Sequence, residues 1–297
     1  MTSELTAPVE AWRSSGELDR FRGHSIQVRS VAGRDPLLVC LHGFPSSSYD
    51  FRHLLPLLGD SASLAFDFLG FGLSDKPRQH RYSLFWQADL VEELTRRRFP
   101  GREVFLVAHD MGTSVATELM ARSIDGEAAL PISGALLFNG SVVLDQAQLM
   151  LAQRLLQSRL GGVAAKLSNR RVFRQQFGSL FSADHPLSDE EAEDQWSLVC
   201  HNGGRTLGHA LIHYLGERVR FADRWHGAIR DWPGALSLAW GMRDPVATSD
   251  VLEALRKLRP GVAVEELKEL GHYPQLEDPT AIAAAVHAAV DRAARDG

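Results

Sequence analysis

Three short segments carry side chains whose types and spacing could do chemistry together. The first is Val107-Ala108-His109-Asp110-Met111-Gly112-Thr113, in which small residues stand two places either side of a carboxylate. That spacing suits a nucleophile held on a sharp strand-to-helix turn, where small flanks let the backbone fold tightly and leave the central side chain exposed. The usual centre is a serine, but here it is Asp110. A plainer reading makes Asp110 a helix N-cap, a role for which a short carboxylate is well suited. The second segment is Leu41-His42-Gly43-Phe44-Pro45. Its Phe44 N–H and the Met111 N–H could converge on one oxygen and form an oxyanion hole. The third comprises Gly241-Met242-Arg243-Asp244-Pro245 and Gly271-His272-Tyr273-Pro274. Nucleophile, acid, then histidine is an order in which His272, oriented by Asp244, could act as a general base.

A carboxylate nucleophile narrows the reaction. Attack on an ester or amide would form an anhydride and gain little. Attack on a saturated carbon that bears a leaving group gives a stable alkyl ester of the enzyme. An epoxide or a carbon–halogen bond offers such a carbon. His272 would then take a proton from water, and that water would attack the carbonyl carbon of the Asp110 ester. The Phe44 and Met111 amides would hold the oxyanion formed there, and in the resting enzyme would hold a carboxylate oxygen.

These side chains need strand ends to position them. Short apolar runs at 36–41, 62–68, 103–108, 132–138, 235–240 and 263–267 read as buried strands. Helical patterns at 83–97, 113–122, 249–258 and 279–294 alternate with them, which predicts an α/β fold with a mostly parallel central sheet flanked by helices. The rhythm breaks at 141–228, where amphipathic stretches at 147–160, 189–200 and 206–221 are expected to build an inserted helical lid. The expected organisation is one core, 1–140 and 229–297, with a cap at 141–228. Ligands in open α/β sheets sit outside the carboxyl ends of the strands, so such a lid would roof the site.

HGFPSSSYDF (42–51), DFLGFGLSDKP (67–77), AHDMG (108–112), FNG (138–140), RDP (243–245) and HYPQLEDP (272–279) together resemble the α/β-hydrolase superfamily. The resemblance is to its epoxide hydrolase and haloalkane dehalogenase branch, and within it to hydrolases related to the mesoderm-specific transcript protein. It runs from about residue 25 onward and is weakest in the lid. It implies the triad Asp110, Asp244 and His272, the hole at Phe44 and Met111, and no cofactor. Epoxide hydrolases of the branch present two lid tyrosines as proton donors. This lid holds Tyr214 alone, resembling the second of them, while Phe173 and Phe177 occupy the region of the first. Haloalkane dehalogenases of the branch place Trp after the nucleophile, and Asn or Trp after the His-Gly pair. Met111 and Phe44 stand there and have no side-chain donor. Dehalogenation would need other donors, such as Trp196 or Trp225. Asn139 stands where some dehalogenases carry their acid. It cannot be that acid, and is read instead as orienting His272 or a water beside the leaving group.

With 32 Lys and Arg against 37 Asp and Glu, the net charge is −5, which argues against nucleic-acid and membrane partners. The expected partner is a small apolar molecule plus water, with the chain a monomer or homodimer. Cys40 and Cys200 are far apart in no metal-like spacing, and the first twenty residues lack a basic and apolar leader. Both features point to a reducing cytoplasm. His209 and His213 have metal-pair spacing on an expected helix but lack a third ligand. Arg96-Arg97-Arg98 reads as a helix C-terminus, and Ser46-Ser47-Ser48 as a helix cap. A non-catalytic ligand-binding homologue is the alternative to an enzyme, since one lid tyrosine replaces two.

Overall fold

A computed structural model describes residues 4–158 and 160–296. Eight strands form one sheet: β1 (Glu17–Phe21), β2 (His24–Val31), β3 (Arg34–Leu41), β4 (Ser61–Phe66), β5 (Val104–His109), β6 (Ile132–Phe138), β7 (Ala235–Gly241) and β8 (Ala263–Leu267). Their spatial order is β1-β2-β4-β3-β5-β6-β7-β8. The β1–β2 and β2–β4 pairs are antiparallel, and all later pairs are parallel.

The buried strands read as continuous apolar runs because both sheet faces are covered. Successive side chains alternate between two cores. Leu37, Val39 and Leu41 enter one cluster, and Leu38 and Cys40 the other. The first is closed by α2 (Leu84–Arg98) and α3 (Met111–Ile124), and the second by α13 (Pro279–Asp296). Around them lie α1 (Ala7–Ser14), α11 (Ser249–Leu258) and α12 (Pro274–Glu277). The Ser83 hydroxyl caps α2, accepting the Phe85 N–H at 3.2 Å. At the other end of α2, Arg97 and Arg98 do more than end the helix: both pair with Asp19 of β1. Of the three serines at 46–48, only Ser47 caps a turn, accepting the Tyr49 N–H.

Between β6 and β7 the described residues contain no strand. They form α4 (Leu151–Gln157), α5 (Gly161–Leu167), α6 (Arg170–Gly178), α7 (Asp189–Cys200), α8 (Gly208–Leu211), α9 (Tyr214–Arg220) and α10 (Ala222–Asp231). The expected single helix at 206–221 is two short ones, which bury Leu211 and Ile212 on one side of the break and Tyr214 and Leu215 on the other. This break also separates His209 from His213, and the described residues hold no metal-competent cluster of His, Cys, Asp or Glu. The expected boundary at 228 falls inside α10. That helix is fastened to α3: the Glu118 carboxylate accepts the Trp225 Nε1–H at 3.0 Å and the Arg224 Nε–H at 2.9 Å. Among the described residues no helix is long and apolar enough to cross a membrane.

Candidate active site

Asp110 stands between β5 and α3 with φ 42° and ψ −109°. An L residue holds such a backbone only where its surroundings impose it. Two close approaches impose it here. A Cβ on Gly112 would lie 2.3 Å from the Leu41 carbonyl oxygen, and one on Gly43 would lie 2.8 Å from the Asp110 Cβ. The Asp110 carbonyl accepts from the Thr113 hydroxyl at 2.6 Å and the Thr113 N–H at 3.1 Å. The carboxylate makes no capping bond to α3, so the N-cap reading fails. Its Oδ2 instead accepts the Phe44 N–H at 2.8 Å.

The loop bearing Phe44 is itself fixed. His42 Nε2 accepts the Phe68 N–H at 3.0 Å, which leaves Nδ1 to donate to the Gly43 carbonyl at 2.8 Å. The Asp67 carboxylate joins the loops after β3 and β4, accepting the Ser48 N–H at 2.8 Å and the Leu73 N–H at 2.6 Å. Met111, the other expected hole residue, opens α3 directly after Asp110. Of the two expected amides, only that of Phe44 bonds the Asp110 carboxylate.

His272 and Asp244 meet as their order predicts. Nδ1 of His272 donates to Asp244 Oδ2 at 2.7 Å, with both side chains buried. Asp244 accepts three further bonds. Val246 and Ala247 N–H donate to Oδ1 at 2.7 and 3.0 Å, and Asn139 Nδ2 donates to Oδ2 at 2.7 Å. Burial alone would raise the Asp244 carboxyl, but the charge and hydrogen bond of His272 and the bonds from Asn139 and Val246 bring it below its ordinary range. Burial would likewise lower His272, and the Asp244 charge and hydrogen bond lift it above its ordinary value instead.

Asn139 serves the expected orientation of His272, by way of Asp244, rather than standing beside a leaving group. It is fully buried behind Asp244, and its Oδ1 accepts the Gly241 N–H at 2.9 Å. His109 is a support that the sequence did not expose. Its Nε2 donates to the His272 carbonyl at 2.7 Å, and its Nδ1 accepts from Gln275 at 3.1 Å. Burial pushes its pKa down to about 3, so the ring stays neutral.

The expected donor, Tyr214, is buried, and its hydroxyl has no hydrogen-bond partner among the described residues. Its ring lies 5.9 Å from that of Phe44. Burial and the Asp110 charge both push its pKa up, while Arg218 opposes them. Arg218 is a second residue that sequence reasoning missed. It is 1% exposed. Its Nε donates to the Ser114 hydroxyl at 2.8 Å, and its Nη2 donates to the Asp110 carbonyl at 3.1 Å. The same Nη2 lies 3.7 Å from Asp110 Oδ1. The guanidinium carbon sits 4.8 Å from the centre of the Tyr214 ring. The available signal was its place one helical turn after Tyr214, but in the run Glu217-Arg218-Val219-Arg220 it looks like any solvated charge.

A cavity of about 140 Å³ opens over the strand ends. Its lining includes Phe44 and His272 from the core, and Leu211, Phe173 and Phe177 from the inserted helices. Phe173 and Phe177 stack on each other at 5.2 Å. Lys76 also lines it and ties the insert down, donating to the carbonyls of Gly72, Leu198 and His201 at 2.6, 2.8 and 3.0 Å. The tryptophans named as alternative donors do not serve equally. Trp225 has already given its N–H to Glu118, whereas Trp196 packs 5.3 Å from Phe173.

Comparison with known proteins adds four likenesses. Residues 36–279 match the family described as alpha/beta hydrolase fold. LipZ of Mycobacterium tuberculosis is 52% identical over 282 residues, covering 95% of this chain and 98% of its own. The mesoderm-specific transcript homolog protein of Bos taurus is 35% identical over 287 residues, covering 93% of this chain and 86% of its own. Among solved structures, the haloalkane dehalogenase DbeA from Bradyrhizobium elkani superposes with a TM-score of 0.79 at 24% identity, covering 95% and 99% of the two chains.

Proposed function

The chain belongs to the alpha/beta hydrolase fold family, and we propose that it hydrolyses a small apolar electrophile, an epoxide or a close relative, through an alkyl ester on Asp110. The observation that carries this reading is the orientation of Asp110. Its carboxylate sits on a strained elbow, ignores α3, and takes the Phe44 N–H on Oδ2. In the first step the other oxygen, Oδ1, attacks a ring carbon. The carbon–oxygen bond of the epoxide breaks, and its oxygen takes the proton of the Tyr214 hydroxyl. The buried, unpartnered state of that hydroxyl supports this role. In the second step His272 Nε2 removes a proton from water as the oxygen attacks the ester carbon. The Phe44 and Met111 amides hold the oxyanion until it collapses to product and carboxylate. His272 then returns its proton, by way of water, to Tyr214. The helices between β6 and β7 act as the cap that excludes bulk water.

Arg218 gives one further reading some support. A guanidinium 3.7 Å from Asp110 could hold a departing halide. Halide release from haloalkanes, measured beside diol formation from styrene oxide, separates the two. The covalent step is tested by one turnover of styrene oxide in oxygen-18 water. Oxygen-18 in the peptide containing Asp110 is the expected result, and an unlabelled Asp110 with labelled diol would overturn the ester mechanism.

A further inference from the structure

The outer face of the first helices after β6 departs from the rest of the surface. Leu151, Leu155, Leu160, Val163 and Leu167 are between 45% and 82% exposed. Single exposed leucines need no explanation, but a concentration of them marks an interaction surface. The opposite faces of α4 and α5 present Gln153, Leu156 and Ala165 to the cavity. A layer one helix thick therefore separates the exposed leucines from the candidate active site.

The same stretch has a distinctive charge pattern. Residues 146–183 contain no Asp or Glu, yet they hold six Lys and Arg in a chain whose net charge is −5. Two of these bases, Arg170 and Arg174, pair with Glu193 and Asp189 of α7. Arg159 lies outside the described residues. Arg154, Lys166 and Arg171 are exposed and have no ion-pair partner among the described residues. Exposed leucines interleaved with unpaired bases are the makings of a surface that lies in a lipid headgroup layer, its apolar side chains inserted and its cations among anionic lipids. The whole-chain charge, which argued against such a partner, hides this local excess.

We propose that the α4–α5 face docks on an anionic lipid surface, bringing the roof of the cavity against the bilayer. Neither helix is long enough to span it: each has seven residues. A second copy of the chain fits the same face less well. A twofold contact sets each patch against its own likeness, so these bases would meet bases with no acid from 146–183 to neutralise them.

The test is co-sedimentation of the full chain with vesicles of phosphatidylcholine containing about 30% phosphatidylserine, against phosphatidylcholine alone. The expected result is binding to the anionic vesicles at about 0.05 M salt that weakens severalfold by about 0.5 M. Arg154→Glu with Lys166→Glu, one on each helix of the face, should reduce partitioning roughly tenfold or more, since each basic residue near an anionic surface is worth about fivefold. Leu151→Gln with Leu167→Gln should also reduce it. Both variants should melt with the parent and turn over a water-soluble substrate at the parent rate. Failure of the parent to sediment with anionic vesicles would overturn the proposal. So would variants that bind as the parent does, or a parent dimer that Leu151→Gln with Leu167→Gln splits while no vesicle binding is seen. Because binding is read without turnover, this outcome is independent of the reaction proposed for Asp110.

Discussion

Asp244→Asn is the sharpest single probe of the candidate site, because the surroundings of this carboxylate dictate how an amide must sit. All four of its neighbours are donors: the Val246 and Ala247 N–H on Oδ1, and His272 Nδ1 and Asn139 Nδ2 on Oδ2. An asparagine keeps one acceptor. Placed toward the two backbone amides, its oxygen saves both of those bonds, and its NH₂ then faces His272. The histidine must become an acceptor at Nδ1, which moves its proton to Nε2 and leaves no base for water. Asn139 cannot flip to help without giving up the Gly241 N–H that its oxygen accepts at 2.9 Å. Two charge-assisted bonds are lost, at about 1.5–3 kcal/mol each before any repair. A net loss of about 2–4 kcal/mol is expected, or roughly 3–6 °C in melting temperature for a chain of 297 residues. Ester hydrolysis should slow by about 10³–10⁴, the scale of a lost general base in its wrong tautomer. Ester formation needs no base and should survive. Intact-protein mass spectrometry after mixing with styrene oxide should therefore show the variant gaining the mass of one substrate molecule, which the parent does not accumulate. A folded variant that turns over within about threefold of the parent would refute the reasoning, because the tautomer argument demands at least the general-base factor. So would a folded variant that forms no adduct.

Tyr214→Phe should slow epoxide opening by about 10²–10⁴ while sparing substrates whose leaving group needs no proton; equal losses on both, measured as kcat/KM, would remove its role as donor. Arg218→Met breaks a buried pair and should cost about 3–5 kcal/mol by thermal or urea unfolding, with Arg218→Lys intermediate; parental stability in the Met variant would show that the pair contributes nothing. The lifted pKa of His272 predicts that ester hydrolysis in single-turnover kinetics rises with pH, with a midpoint above 6.5, whereas ester formation lacks that midpoint; a shared midpoint would place His272 in the first step. The stability due to the His272–Asp244 contact follows the same direction, being fully present below pH 6.5 and lost as pH rises through the lifted value. Asp50 adds a slope of its own. Burial pushes this carboxyl up to about 7 against hydrogen bonds from Ser46 and Gln195, so the folded chain holds its proton more tightly than the unfolded one. The group therefore disfavours folding progressively from about pH 4 to about pH 7. Between pH 5 and 8 the melting temperature of Asp50→Asn should fall less than the parent's, and an unchanged slope would assign the effect elsewhere.

The elements that reach the site through continuous apolar runs were the ones legible in sequence. PLLVCL, EVFLVA and ALSLAW are apolar runs of strand length bounded by turn formers, which marks them as strands buried on both faces, and each leads straight into a turn that holds a candidate site residue. The β1–β2 hairpin escaped notice because it is an edge. In β1 only Phe21 is buried, and Leu18 is 69% exposed, so no alternation shows. Its turn signal, Arg22-Gly23 with both residues at positive φ, is weaker than an Asn-Gly pair. The inserted helices were legible as helices but not as a layout. Their breaks at 168–169 and 212–213 depend on what each short helix must bury, and that is fixed by the core beneath. Asn139 shows the same limit at one residue. Its type and position were plain, but only the fold shows that its amide spans Gly241 and Asp244.

Arg218 is the strongest example, because its meaning comes from the charge beside it. In the resting site its guanidinium and the Asp110 carboxylate compensate each other, 3.7 Å apart and both buried. Under the proposed mechanism Asp110 becomes a neutral ester in the first step, and Arg218 would be left as an unpaired buried cation, a state costing several kcal/mol. The reaction itself must supply the replacement anion. Opening an epoxide by way of Tyr214 does so: the phenolate forms on the ring that already faces the guanidinium at 4.8 Å. The cation that opposes the rise in the Tyr214 pKa thus stabilises the charged form when it appears. A single tyrosine with an arginine one turn away can then do the work of two hydroxyl donors. A halide would serve the same cation only until it diffused away, leaving the ester to hydrolyse beside a bare guanidinium. The geometry therefore favours a leaving oxygen that stays tethered to the ester, as an epoxide oxygen does.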